Sequence, residues 1–237
     1  MADPEASGWQ RLRGRLTGQT VQSWVVDAND GIIATAGLLE GFAGAGADDT
    51  LLITAALAAT IAGALSTGGA KWAEVAAERD AQLATVAYEQ RLLEANPEEE
   101  LAELVDHYVG RGLTPALARE VAEQLMAADP LTAQLQTEYG IDEIPSPRAP
   151  VLAGLSSGIS FAVGAGIPLM ITVLAPLALD ALAVLVAVVV SLCLTSIIAA
   201  RSSYLSAPRT IVRSLIVGLG TMGVSYVAGL VLLPPAD

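Results

Sequence analysis

The sequence predicts an all-α membrane protein: five transmembrane helices, with a cytosolic helical subdomain inserted between the second and the third. Three observations predict it. The 237 residues are 53% hydrophobic yet 16% charged, too apolar for an ordinary soluble domain and too charged to lie wholly in a membrane. The charges are segregated, with a stretch from Arg79 to Arg148 lodged between two blocks of membrane-length apolar sequence. Finally, a five-span topology puts every cluster of basic residues on one side of the bilayer.

A helix needs about 20 mostly apolar residues to cross a bilayer, and five segments qualify: residues 23–44, 51–71, 151–174, 177–200 and 211–233. The first starts too late and holds too many carboxylates for a signal peptide, so it is expected to stay in the mature chain. Arg11, Arg13 and Arg15 precede span one, the arginines from Arg79 to Arg148 separate spans two and three, and Arg201, Arg209 and Arg213 lie at the facing ends of four and five. The opposite loops, residues 45–50 and the turn at Pro176, carry no Lys or Arg, nor do residues 234–237. Lys and Arg near span ends are retained on the cytoplasmic side. The expected organisation is therefore a cytosolic N-terminal segment (1–22), a first helical pair (23–78), a cytosolic acidic subdomain (79–148), three further spans (149–237) and an outside C-terminus, in a prokaryotic-type plasma membrane.

Within the insert, the helical pattern of span two continues past Arg79, with Leu83, Val86 and Leu93 on one face. Asn96-Pro97 breaks it. Pro97 followed by Glu98, Glu99 and Glu100 is a helix start, with acidic residues against the positive end of the dipole. Leu101, Leu104 and Tyr108 give that helix an apolar face, and Gly110-Arg111-Gly112 ends it. Thr114-Pro115 opens a helix whose Leu117, Val121 and Leu125 are expected to face a core, and Asp129-Pro130 opens another that Gly140 closes.

The net charge of −13 argues against nucleic acid as a partner, since nothing resembles the basic stripe needed to neutralise phosphates. It favours cations. Glu100 and Glu103, three residues apart, share a helix face, while Glu89 and Glu138 come from the flanking helices, so carboxylates from three segments can converge on an ion. Carboxylates suit Mg, Ca, Mn and, less selectively, Fe(II), which makes this a candidate metal-binding subdomain; a solvated acidic face is the plainer reading of the same spacing. His107 lies four residues after Glu103, but the paired Glu-x-x-His pattern of ferritin-type sites is absent. The single Cys193 excludes an internal disulfide and a Cys-based zinc site. No nucleophile, base and orienting group assemble around the lone His, which disfavours a hydrolytic enzyme, and no organic cofactor motif is present.

An ionised group inside a membrane span costs about 2.5 to 3.5 kcal/mol at its centre on insertion scales and marks a partner or an aqueous path. Span one carries Asp27, Asp30 and Glu40. Asp30, deeper than Asp27 and followed by Gly31, is the candidate path residue. Span two ends in Ser66-Thr67-Gly68-Gly69-Ala70-Lys71, which brings Lys71 to the depth of Asp27 and Asp30, where an ion pair is possible and would compete with a bound cation; Glu74, one turn on, can supply the charge back. Gly154, Gly158, Gly164 and Gly166 with Ser156, Ser157 and Ser160 in span three, and Gly218, Gly220, Gly223 and Gly229 in span five, form small-residue surfaces for close helix packing.

Together these residues resemble the vacuolar iron transporter family. The resemblance covers nearly the whole chain: Asn29-Asp30-Gly31; Gly63-Ala64-Leu65-Ser66; Pro97 to Leu101 with Gly112-Leu113; Asp129-Pro130-Leu131; Glu138-Tyr139-Gly140; and Gly164-Ala165 with Pro168-Leu169. It implies a homodimer with five membrane helices per subunit, a cytosolic metal-binding domain, a path between the subunits, and export of Fe(II) and Mn(II) from the cytosol by exchange with protons. It further implies Asp30 as the path carboxylate and Glu89, Glu100, Glu103 and Glu138 as metal-domain ligands. The chain departs from the family pattern at Thr67 and Lys71, where methionine and glutamate are typical, and at Leu92 and Gln134, where glutamate and methionine are frequent. Thr67 and Lys71 are therefore the path positions at which this chain is expected to differ, with Glu74 beside them in the path. The competing expectation is a membrane-tethered metal sensor or buffer that binds through the insert without transporting.

Overall fold

The computed structural model describes residues 18–174, 180–202 and 206–232. The N-terminal arginines, the turn at Pro176 and residues 234–237 lie outside them. Among the described residues the chain is helical, in the order α1 (Gly18–Gly44), α2 (Asp49–Ala95), α3 (Pro97–Gly110), α4 (Pro115–Ala128), α5 (Pro130–Glu138), α6 (Ala149–Leu174), α7 (Asp180–Ser202) and α8 (Ala207–Leu232). It divides into two compact units, one built from the described residues up to Trp72 and from Leu152 onward, the other from Ala73–Val151.

Among the described residues four helices are long and apolar enough to cross a membrane: α2, α6, α7 from Leu182, and α8. α1 has the length, at 27 residues, but Asp27, Asp30 and Glu40 dilute its apolar character and it does not reach the same standard. The 47 residues of α2 are more than twice what one crossing needs, in keeping with a span that continues as a helix beyond the bilayer.

In the first unit α1 packs against α7 and α8, which pack against each other. Ile32, Ala36, Val184, Val188, Leu192 and Met222 form the core, with Ile33, Ile167, Ile171 and Leu215 packed on it. Outside that core the surface is apolar: Leu65, Ile159, Val163, Leu174, Ile216, Val224 and Val231 are each more than three-fifths exposed. Such a surface suits lipid rather than water. The hydroxyls of Thr54 and Thr60 donate to carbonyls four residues back, at 2.6 and 2.8 Å, so they spend no unpaired donor in an apolar stretch. The small residues act selectively. A Cβ on Gly164 would collide with the Ala28 carbonyl, and one on Gly31 with the Phe161 carbonyl, so α1 and α6 touch backbone to backbone. Gly154 and Gly158 seat α6 on α2 at Gly68 and Ala64 in the same way, and Gly229 seats α8 on α1 at Gly41. Gly166, Gly220 and Gly223 face open space within the protomer, so the expected stripe of close packing is narrower than the glycine spacing indicated.

The second unit is built by α3, α4 and α5 against the later part of α2. Pro97, Pro115 and Pro130 each occupy the first turn of their helix, where a missing N–H costs nothing. Thr114 accepts from the Leu117 N–H at 3.4 Å and Asp129 from the Thr132 N–H at 3.1 Å, capping α4 and α5. Gly112 and Gly140, at φ 101° and 65°, take the left-handed turns after α3 and α5. The core is Leu104, Val105, Ala118, Ala122 and Ala133, with Leu101, Tyr108, Leu113, Leu125 and Met126 around it. Two expectations are corrected here. Leu117 is exposed, because the buried stripe of α4 runs through Ala118 and Ala122, one position further on, where small side chains let the short helices approach closely. Leu83 on α2 is exposed too, and the fully buried side chain of that stretch is Glu89.

Candidate functional site

The insert carboxylates form two layers. Glu89 on α2 is 0% exposed and Glu100, in the first turn of α3, is 3% exposed. Both oxygens of Glu89 are buried, with the Glu100 carboxyl and the Tyr139 hydroxyl as neighbours. Burial raises the Glu89 carboxyl above its usual range; hydrogen bonding with Glu100 opposes that, repulsion from Glu138 adds to it, the Tyr139 hydroxyl opposes, and Glu103 adds again. The Glu100 carboxyl is pushed up to about 7, by burial first and then by its hydrogen bond and repulsion with Glu89, with Glu103 and Glu138 adding to the effect. Two ionised carboxylates side by side have no donor between them, so a proton or a cation is needed to join them.

Gln134 on α5 is 2% exposed and closes the other side. Its Nε2 donates to the backbone oxygen of Glu100 at 2.6 Å and lies 3.2 Å from Glu100 Oε2. One amide thus fixes both the start of α3 and its buried carboxylate. Glu103 and Glu138 are exposed and, with Leu104, His107, Gln134 and Thr137, line a cleft of about 250 Å³. The Tyr139 hydroxyl is pushed up to about 12 by burial and by Glu138, so it stays a proton donor across the physiological range. Among the described residues no three His, Cys, Asp or Glu side chains are gathered tightly enough to encircle an ion. The four glutamates feel one another's charge, but the buried Glu89–Glu100 pair and the exposed Glu103 and Glu138 stand at different depths.

In the first unit, α1 carries three polar residues in sequence at Asp27, Asn29 and Asp30. Ser157 Oγ on α6 donates to Asp27 Oδ2 at 2.8 Å. Thr195 Oγ1 on α7 lies 2.6 Å from Asn29 Oδ1. Asp30 itself is exposed on the protomer. On α2, Thr67 and Lys71 are half-buried, Glu74 is exposed, and Lys71 and Glu74 are each already engaged in a polar or electrostatic contact. Cys193 is a free thiol of intermediate exposure on α7.

The sequence reading missed the parts played by Gln134, Ser157 and Thr195. Gln134 looked only like a departure from a pattern, and serines or threonines in a membrane helix look like packing residues until their partner on another helix is known. For Thr195 the one signal available was a polar residue in an otherwise apolar stretch; Gln134 and Ser157 lie among other polar residues and gave none.

The VIT family model matches residues 21–230 of the chain. Similar proteins include the vacuolar iron transporter of Acanthamoeba castellanii, 38% identical over 151 residues, which are 64% of this chain and 54% of that protein. Vacuolar iron transporter 1 of Arabidopsis thaliana is 28% identical over 177 residues, covering 74% of this chain and 70% of its own. Vacuolar iron transporter 2 of Oryza sativa subsp. japonica is 28% identical over 173 residues, covering 72% and 70%. The match thus spans about half the length of the Acanthamoeba protein and more than two thirds of the plant proteins.

Proposed function

This chain belongs to the VIT family, a family of transporters rather than enzymes, and we propose that it moves divalent metal, Fe(II) or Mn(II), out of the cytosol in exchange for protons. The observation that carries this reading is the Glu89–Glu100 pair: a fully buried carboxylate set against a second buried carboxylate, with no basic side chain among the groups that shift either one. Burying such a pair is costly unless a cation or a proton neutralises it. Hard oxygen ligands accept Mn(II) and Fe(II) as well as Mg and Ca. The exposed Glu103 and Glu138 draw cations to the cleft, and the buried pair exchanges a proton for the metal.

Release to the membrane path falls to Asp30, which is exposed on α1 of the isolated protomer and free to face the partner subunit of a homodimer. Thr67, Lys71 and Glu74 on α2 tune that path. A half-buried lysine there favours a second reading, in which the insert binds metal as a sensor or buffer and the membrane unit does not conduct. Flux of Fe(II) and Mn(II) into proteoliposomes under an imposed pH gradient tests the two readings. Transport requires metal-selective flux that Asp30→Asn abolishes. Folded protein that binds Mn(II) but passes none would refute transport, and a large gain of flux in Lys71→Glu would locate the loss at Lys71.

A further inference from the structure

We propose that Ser157 on α6 and Thr195 on α7 are positioning residues for Asp30, holding the turn of α1 that presents its carboxylate; the inference rests on Asp30 serving the transport path. The turn is gripped along its whole length. Ser160 Oγ donates to the Trp24 carbonyl at 2.6 Å, Ser157 Oγ to Asp27 Oδ2 at 2.8 Å, and Thr195 Oγ1 meets Asn29 Oδ1 at 2.6 Å. Between these bonds Gly164 rests on the Ala28 carbonyl and Gly31 on the Phe161 carbonyl, leaving no side chain between the two backbones to act as a bearing.

Positions 27 and 29 stand about 200° apart around a helix. The two side-chain bonds therefore hold nearly opposite flanks of α1, one from α6 and one from α7, and together they oppose both rotation and sliding. Asp30 falls on the remaining arc and is the exposed member of the Asp27–Asn29–Asp30 set. Thr195 has one proton, which can go to Asn29 Oδ1 or to the Ser191 carbonyl at 2.9 Å. If the Asn29 amide is turned, its N–H donates to the hydroxyl while the hydroxyl serves Ser191, so the two helices are joined in either arrangement. Misplacing a reacting or ligating group by about 1 Å is enough to cost much of its effect. Neither Ser157 nor Thr195 need touch the metal to control where Asp30 holds it.

The test is Mn(II) flux into proteoliposomes under a pH gradient, for wild type, Thr195→Val, Thr195→Ser, Ser157→Ala and Asp30→Asn, with thermal stability and Mn(II) binding measured on each full-length protein. Thr195→Val keeps the shape of the side chain and removes the hydroxyl. It is expected to lower maximal flux about five- to tenfold, the factor one buried hydrogen bond is worth, with Mn(II) binding unchanged. Thr195→Ser is expected to restore flux, and Ser157→Ala to lower it. Wild-type flux in Thr195→Val beside an inactive Asp30→Asn would overturn the positioning role alone. So would a loss that tracks reduced thermal stability and is not restored by serine. Full flux in Asp30→Asn would overturn the path assignment itself.

Discussion

Glu89→Gln should make the insert more stable and worse at holding metal. The side chain is 0% exposed, and its neighbour Glu100 has been raised from 4.5 to about 7. That rise corresponds to roughly 3 kcal/mol between the two protonation states of Glu100. Burial, the larger cause, would survive the substitution; the repulsion from Glu89 would not, and the new amide would donate to Glu100. A gain of about 1–2 kcal/mol at pH 8 follows, seen as about five- to thirtyfold slower amide hydrogen exchange in α3 (Pro97–Gly110) of the full-length protein.

The sign with pH is fixed. A carboxyl whose folded pKa lies above its unfolded value binds more protons when folded, so wild-type stability falls as pH rises from 4.5 through about 7. At pH 5 Glu100 carries its own proton and can donate it to Glu89, so the advantage of Glu89→Gln should shrink toward nothing there. Unchanged or faster exchange at pH 8, or an equal gain at pH 5 and pH 8, would refute the claim that the two ionised carboxylates repel each other in the buried pair.

Two further outcomes follow from the same geometry. On the proposed reading Mn(II) displaces the proton on Glu100, so its affinity for the full-length protein should fall as pH drops below about 7, approaching tenfold per pH unit for one proton displaced, as read by calorimetry between pH 5.5 and 8. Ala118, at 0% exposed, sits in the insert core while Leu117 is 49% exposed, so Ala118→Leu should destabilise by about 1–3 kcal/mol and Leu117→Ala by less than about 0.5 kcal/mol in local exchange measurements; the reverse order would show that α4 is turned by one residue.

The sequence by itself determined the helices, their order and the segregation of charge. Pro97, Pro115 and Pro130 fix the starts of three helices and Gly112 and Gly140 two of the ends, because these residues constrain the backbone wherever they occur. Leu104 and Tyr108 on one face of α3 were legible from periodicity alone, and Glu100 and Glu103 as neighbours on that helix from their spacing. Tertiary structure decided what periodicity cannot: which arc of a helix meets a neighbour. Leu117 and Ala118 differ by one position, and only the closeness of α3 and α5 selects the small one for the core. Likewise Gly164 and Gly166 read alike in sequence, yet one supports a backbone crossing and the other faces open space. The depth difference between Glu89 and Glu103, and the bonds from Gln134, Ser157 and Thr195, join residues 34 to 166 positions apart. Spacing along one helix carries no information about such partners; the packing of helices against one another creates them.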